Sequence, residues 1–511
     1  MHTTLVSRSI ARRGSAFGPT SRPLRFAPLL ILLTVAALGA CSHAPQPRIA
    51  GAPAAPPSAS EPWRVPRGVV PAEPRPADSV PGIPADIADR RTSLALADVV
   101  DLALRNNPQT QLSWSQARAG AATYGAASAA YLPTVDGSAN AAYSQTTVGQ
   151  TLGGIGTRRS ITPAVSLSYL LFDFGGRSGT VAAARAAAVA LDLTHNATLQ
   201  NVVLQAEGSY FNFQAQRALV SAARLSVAEA DSNLASARQR NRAGVATIAD
   251  VLQAETLLAQ AQLDLETVEG NLEVARGALA VSMGLPANAR YDLAPVNDSI
   301  PVALAAADVD TLINRALENR PDLAAARVQI EQSQAEVRVA RSALFPSVSL
   351  GSTLSHPYSS QPNASGTTFG VTLGVAIPIF NLARPYNVMA ARAQVDAFAA
   401  RANVLRTEVA QQVFTSYYQL RTATQRSRTA DVLLASALRS EAAARARYRA
   451  GVGTILDLVT AQSALANARA QQAQSRWVWA TSLAQLSHDV GVLGPRGETL
   501  VPLADSTGVR R

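Results

Sequence analysis

The residues best placed to do chemistry stand in two copies of one short pattern. Segment 240–250 (RNRAGVATIAD) returns as segment 447–457 (RYRAGVGTILD), with eight of eleven positions matching at an offset of 207. Each copy sets a carboxylate, Asp250 or Asp457, three residues after a hydroxyl, Thr247 or Thr454. That spacing fits a capping box, in which hydroxyl and carboxylate satisfy free N–H groups at a helix start. Just before each box, Gly244 and Gly451 suit the left-handed turn that ends the preceding helix. Arg447, Tyr448 and Arg449 add charged and phenolic donors beside the second copy. The chemistry on offer is charge and hydrogen bonding, not bond cleavage. There is no Gly-x-Ser-x-Gly elbow, Walker loop, dinucleotide fingerprint or His-Glu-x-x-His. One Cys excludes a disulfide framework and Cys-based metal sites, and five scattered His without metal spacing argue against a zinc enzyme. The chain reads as no enzyme, with no cofactor and no metal.

The elements that carry this pattern must come from 511 residues, enough for several domains or one long repetitive architecture. Hydrophobic residues make up 48%, enough for a large core, while charged residues are only 16%, well below the roughly 25% of ordinary soluble domains. All 45 basic residues are Arg, and the formal net charge is +10. Five of these Arg (Arg8, Arg12, Arg13, Arg22, Arg25) precede Cys41 with no acid among them, leaving +5 for the remainder and little case for a nucleic-acid partner. Residues 26–38 form an apolar run of about thirteen, where a membrane-spanning helix needs about twenty. Residues 1–40 therefore read as a secretory signal. The run ends in Leu38, Gly39, Ala40 and Cys41, which resembles the bacterial lipoprotein signal: cleavage exposes the Cys, whose thiol takes a lipid. An ordinary signal peptide with an incidental Cys is the alternative. In lipoproteins, Ser42 rather than Asp after the Cys favours export to the outer membrane. Residues 41–91 read as a Pro-rich tether, because 44–84 hold twelve of the 29 prolines and no apolar period.

The body is one unit written twice. Beyond the 207-residue offset, Pro108 and Pro133 return as Pro321 and Pro346 at an offset of 213. The first repeat is taken as 92–290, an inter-repeat linker as 291–307, the second repeat as 308–495 and a tail as 496–511. Each repeat predicts a short helix (94–105; 309–318), a Pro break, and a helix of about 24 residues up to Tyr131 or Leu344. Two strands follow in each (from 134 to 146 and across 165–171; from 347 to 358 and across 369–377), with loops at 149–157 and 359–367 between them. Next comes a Pro-free helix of about 65 residues, then a returning helix (247–283; 454–490). The returning and pre-strand helices sum to nearly the length of the long one, so the two could stack end to end beside it.

In the second strands, Val165, Leu167, Tyr169 and Leu171, and Phe369, Val371, Leu373, Val375 and Ile377, alternate with smaller or polar residues. That pattern suits a membrane barrel or one face of a soluble sandwich. Four strands cannot close a barrel, and an open edge in lipid leaves backbone groups unpaired, so a barrel requires several copies. Tyr169, Phe172, Phe369 and Phe380 suit either an interfacial aromatic girdle or ordinary packing.

These motifs together resemble the TolC-type outer membrane efflux proteins, specifically their lipoprotein branch. The likeness is carried by the breaks at Pro108 and Pro321, the Leu-Pro and Phe-Pro steps into strands at Pro133 and Pro346, the strand exit 171–177 (LFDFGGR) and the two Ala-Gly-Val-x-Thr-Ile-x-Asp turns. It covers roughly 92–495. Two departures stand out: Arg320 precedes the second Pro, and the second strand exit lacks the Gly pair. The resemblance implies an α+β membrane protein: a homotrimer whose four strands per chain make a 12-stranded β-barrel in the outer membrane lipid, continued by a long α-helical coiled-coil barrel. Its implied function is a passive exit duct for small molecules such as drugs, working with a periplasmic adaptor and an inner-membrane pump. It also implies that the turns at Gly244, Thr247, Gly451 and Thr454 form the periplasmic tips, where Asp250 and Asp457 become pore-narrowing rings attracting cations. Arg447 and Tyr448 would latch neighbouring helices through Asp250 or backbone carbonyls, or lie as ordinary surface residues. The alternatives are the outer-membrane duct of a protein-secretion system and a periplasmic coiled-coil scaffold lipoprotein.

Overall fold

A computed structural model describes residues 48–49, 52–53, 93–148, 154–294, 308–360 and 365–493. Cys41, the signal at 1–40, most of the tether at 41–91, most of the linker at 291–307 and the tail at 496–511 lie outside the described residues. The chain divides into two units, Met1–Ser79 and Val80–Arg511. In the first, the described residues form a short antiparallel pair, β1 (Arg48–Ile49) and β2 (Ala52–Pro53).

The second unit carries both repeats. In the first repeat, α1 (Leu96–Asn106) ends at Asn107, whose extended backbone (φ −67°, ψ 126°) is what a residue before proline prefers. Pro108 then starts α2 (Pro108–Ser128), needing no N–H partner there, and the Asn107 carboxamide accepts from the Gln109 N–H at 2.9 Å. The second repeat has the same break between α5 (Val309–Asn319) and α6 (Pro321–Ser342). Arg320 replaces the Asn here and solves the problem differently. Its guanidinium grips Asp322 at 2.7 Å and Gln412 at 2.6 Å and reaches the Asp489 carbonyl. Asn107 reaches the carbonyl of Ser282, the repeat mate of Asp489, at 3.4 Å.

The long helices are α3 (Gly176–Arg242) and α7 (Ala383–Arg449), each 67 residues or about 100 Å at 1.5 Å per residue. The returning helices are α4 (Ile248–Ser282) and α8 (Ile455–Asp489). Helix α2 packs on the upper part of α3 and α4 on its lower part; α6 and α8 lie between α3 and α7. The short helices thus form two stacked columns alternating with the two long ones. None of the described helices is long and apolar enough to cross a membrane.

The sheet repeats the same order. Strands β3 (Thr134–Val148), β4 (Gly154–Phe172), β5 (Ser347–Ser355) and β7 (Thr368–Ala376) pair antiparallel in that sequence, so each strand continues one helical column. Within the sheet the two repeats meet where β4 pairs with β5. Two boundaries differ from expectation. β4 begins at Gly154, because the Gly-rich segment extends the hairpin with β3 as far as the Val148–Gly154 pair. The first strand of the second repeat stops at Ser355: the His356 N–H still donates to the Pro163 carbonyl at 3.1 Å, but Pro163 has no N–H to return the bond, so the ladder with β4 lapses there. A two-residue β6 (Tyr358–Ser359) resumes the pairing with β4.

Most of the buried apolar mass lies midway along the helices, where α1 and α5 pack on α3 and α7. Leu94, Phe213, Met283, Leu293 and Trp479 are almost wholly buried there, and the Trp479 indole donates to Thr424 Oγ1 at 3.1 Å. Gly284 closes this region. Its φ is +71°, and a Cβ would fall 2.5 Å from the Asn106 carbonyl.

Candidate functional site: sheet faces and hairpin tips

Strand register sorts the side chains onto two faces, because directly paired residues point the same way. Val135 faces Leu167, Gly137 faces Val165, Ala141 faces Ile161, Val165 faces Leu354, Tyr169 faces Leu350, Leu354 faces Phe369 and Leu350 faces Leu373. One face is therefore apolar across all four strands. The other carries Thr134, Asp136, Ser138 and Asn140, then Ser168, Ser166 and Thr162, then Ser349, Gly351 and Thr353, then Gly374, Thr372 and Gly370. The apolar face is exposed: Phe369 at 68% and Leu373 at 64% are far outside core values. Within the described residues β3 and β7 each pair on one side only.

At the foot of the sheet the two repeats use matching anchors. The Arg177 guanidinium donates to the Leu170 carbonyl at 2.6 Å and lies 4.8 Å over the Tyr131 ring, and it reaches Ala130 O at 3.4 Å. Arg384, its mate at the 207-residue offset, donates to Ala343 O at 2.6 Å. The Gly-containing exit of the first repeat and the Asn381 exit of the second thus reach one arrangement by different residues. Phe172, Phe174 and Phe345 cluster here, with ring centroids 4.7 and 5.0 Å apart. Ile379 and Phe380 stand 93% and 83% exposed.

The opposite ends of the long helices are the hairpin tips. Gly244 and Gly451 have φ of +74° and +78°, which turn the chain out of α3 and α7. Both Thr-x-x-Asp segments form capping boxes. Thr247 N donates to Asp250 at 2.8 Å and Asp250 N to the Thr247 hydroxyl at 3.3 Å; for Thr454 and Asp457 the distances are 3.2 and 3.1 Å. The backbone and hydroxyl bonds from Thr454 hold the Asp457 carboxyl below its ordinary value, with a smaller contribution from Arg447. Asp457 and Arg447 are exposed, Tyr448 is buried, and Asp250 is half-buried.

The bond between the two tips differs from the one anticipated. Arg447 makes no recorded hydrogen bond to Asp250. The bridging guanidinium is Arg240, the mate of Arg447 in the first repeat. It donates to the Tyr448 carbonyl at 2.7 Å and lies 4.7 Å over the Tyr448 ring. Burial pushes the Tyr448 phenol up, with Arg240 opposing. The repeat alignment already held Arg240; what it lacked was which copy of the Arg faces inward.

Sequence reading missed two other clusters, because their members lie far apart in the chain. Higher on the hairpins, Arg469 of α8 binds both oxygens of Glu229 on α3 at 2.9 Å. Arg445 joins Glu441 at 2.6 Å, and Gln462 also reaches Glu441. Nearer the middle of α3, Glu207 is 1% exposed and neither of its carboxylate oxygens has a hydrogen-bond partner among the described residues. Among the described residues no group of His, Cys, Asp and Glu could hold a metal ion.

Two halves that each continue a strand pair into a helical hairpin define a class of channel-building proteins with an internal repeat. A family model described as outer membrane efflux protein matches residues 99–285 and 312–492, and the chain belongs to that family. It is 30% identical over 388 residues to Protein CyaE of Bordetella pertussis, covering 75% of this chain and 81% of that one. To the pyoverdine export outer membrane protein OpmQ of Pseudomonas aeruginosa it is 30% identical over 352 residues, covering 65% and 69%. The fold is similar to the Campylobacter jejuni CmeC outer membrane channel, with a TM-score of 0.69 at 21% identity, covering 78% of this chain and 85% of that one. Family membership sets aside the periplasmic scaffold reading.

Proposed function

We propose that three copies of this chain close a 12-stranded barrel in the outer membrane, continued by a ring of twelve helical columns, to make the passive exit duct of a tripartite efflux pump. The observation that carries this is the register of the sheet. It gathers apolar side chains on one face and Ser, Thr, Gly and Asn on the other, as a lipid-facing wall with a wet lumen requires. Lipid cannot satisfy the backbone groups along β3 and β7, so neighbouring copies must supply the partners. Three copies give a lumen, whereas eight strands would be largely filled by side chains.

The tips form the periplasmic gate, with Asp250 and Asp457 each appearing three times around the axis and drawing cations inward. Capping and gating are compatible, because a capping carboxylate keeps its charge. The exposed Val245 (65%) and Val452 (71%) beside the tip turns support docking of a periplasmic adaptor, which links the duct to an inner-membrane pump. Energy comes from that pump. Cys41 carries the lipid anchor. The exported cargo is read as small molecules, in line with the relative OpmQ, a pyoverdine export protein. The deciding experiment is reconstitution in a planar bilayer. Purified protein is expected to run as a trimer and to conduct, and Asp250→Asn with Asp457→Asn to reduce cation preference. Protein that stays monomeric and never conducts refutes the duct; unchanged selectivity in the double variant removes the gate role from these carboxylates.

A further inference from the structure

The end of the sheet farthest from the helices holds charge that the chain does not neutralise. No Asp or Glu occurs between Asp136 and Asp173 or between Glu336 and Asp396, and the only Arg in the strands and their connecting loops are Arg158 and Arg159. As neighbours on β4 they leave it on opposite faces. Arg158 pairs with Ser144 on the polar face, and Arg159 pairs with Tyr143 on the apolar one. The backbone of Arg159 is held at both ends, its N–H donating to Ser360 Oγ at 3.1 Å and its carbonyl accepting from Ser360 N at 2.9 Å. Its guanidinium lies 5.8 Å over the Tyr143 ring and has no hydrogen-bond or ion-pair partner among the described residues. Tyr358, paired with Ile161, stands on the same face, and both line a cleft with Arg159 and Tyr143.

The height of this corner can be worked out. From Ile161 to Phe172 the apolar face runs about ten ladder steps once the bulge beside Leu170 is allowed for. At ~3.3 Å per step and a tilt of ~40°, that is ~25 Å, the height of the apolar band of a membrane barrel. Arg159 lies two steps further out, ~5 Å beyond the hydrocarbon, at headgroup level. A cation there is well tolerated, where the same cation at mid-membrane would be strongly disfavoured.

We propose that Arg159, flanked by Tyr143 and Tyr358, binds the phosphate of an outer-leaflet lipid headgroup, once per chain around the rim. The inference rests on the barrel reading above. A guanidinium matches phosphate with two parallel N–H bonds. Tyrosines at a membrane interface keep the ring in the apolar layer and offer the hydroxyl to the headgroup.

Arg158 supplies the control, since removing it deletes the same charge one residue away on the lumen face. The test uses the full-length trimer in phosphatidylcholine nanodiscs, titrated with the diphosphorylated glycolipid lipid A and with lipid A stripped of phosphate. Bound glycolipid is counted by native mass spectrometry. Wild type and Arg158→Ala are expected to bind the phosphorylated form alike, Arg159→Ala at least about tenfold more weakly, and Arg159→Lys in between. Equal binding by Arg159→Ala and wild type overturns the site, as does equal loss in both alanine variants or equal binding of the stripped lipid. Single-channel conductance of the same samples separates the two readings. A conducting trimer whose lipid binding ignores Arg159 refutes only the headgroup site; a wild type that never conducts refutes the barrel on which it rests.

Discussion

Glu207 allows a quantitative test of how this helical body tolerates a buried charge. The side chain is 1% exposed on α3 with no partner for either oxygen among the described residues, and burial pushes its carboxyl up to about 7. In an unfolded chain the same carboxyl titrates near ~4.3. The sign follows from which state binds the proton. Below about 4 both states are protonated and the residue costs nothing through ionisation. As pH rises from about 4 to 7 the unfolded chain ionises first, so stability falls; above 7 the full difference has been lost. The gap amounts to ~4 kcal/mol per chain at pH 8, using about 1.36 kcal/mol for each tenfold change in proton affinity. Glu207→Gln keeps the shape and removes the ionisation. It is therefore expected to be more stable than wild type by ~4 kcal/mol per chain at pH 8 and nearly equal at pH 4.5. The assay is thermal loss of helical circular dichroism at 222 nm, from pH 4.5 to 8.5, for both proteins. The wild-type midpoint should drop through neutral pH while that of the variant stays flatter. Parallel curves would refute the argument, because they would show that Glu207 ionises in the folded chain as freely as in water.

Three further outcomes can be checked independently. Arg240→Ala removes both the bond to the Tyr448 carbonyl and the stacked cation, so single-channel conductance should rise as the hairpin tips loosen; an unchanged conductance would assign the closure elsewhere. Arg469→Ala strips Glu229 of its two-pronged partner, leaving Arg445 at 4.0 Å. A loss of ~1–3 kcal/mol is expected, and a double-mutant cycle with Glu229→Gln should recover most of it as coupling. Gly284→Ala forces a Cβ against the Asn106 carbonyl at a positive φ, so a loss above ~3 kcal/mol and poor recovery of folded trimer on gel filtration are expected; near wild-type yield would contradict the close approach.

Much of the architecture can be read from residue order because it depends on local rules applied twice. Proline at the first position of α2 and α6, glycine just past the ends of α3, α4, α7 and α8, and a hydroxyl three residues before an acid all act within a few residues. The 207-residue offset then doubles every inference. The two 67-residue helices and their returning partners stand close to where Pro-free stretches and Gly turns put them. Less regular segments were harder to read. Gly-rich residues before Arg158 look like loop in a linear pattern, yet they pair with β3, because a hairpin ladder continues wherever both backbones can reach. At Pro163 the reverse happens: its missing N–H leaves the His356 bond unreturned and splits the strand opposite it, which composition alone would continue.

The amino-acid order by itself determined the repeat, the element types, the family and the capping chemistry at Thr247–Asp250 and Thr454–Asp457, since each depends on neighbours in the chain. Only the tertiary structure decided which side chains share a face. The register of β3, β4, β5 and β7 gathers the apolar rows onto one wall, the hairpin packing turns Arg240 rather than Arg447 toward Tyr448, and the column order brings Arg469 to Glu229 across 240 residues. Each of these is a long-range pairing whose partner is chosen by the rotation of one element about its axis. A one-residue change in that phase would turn a strand's whole row to the opposite face, and rotate a helical side chain by about 100°, without altering a single local propensity.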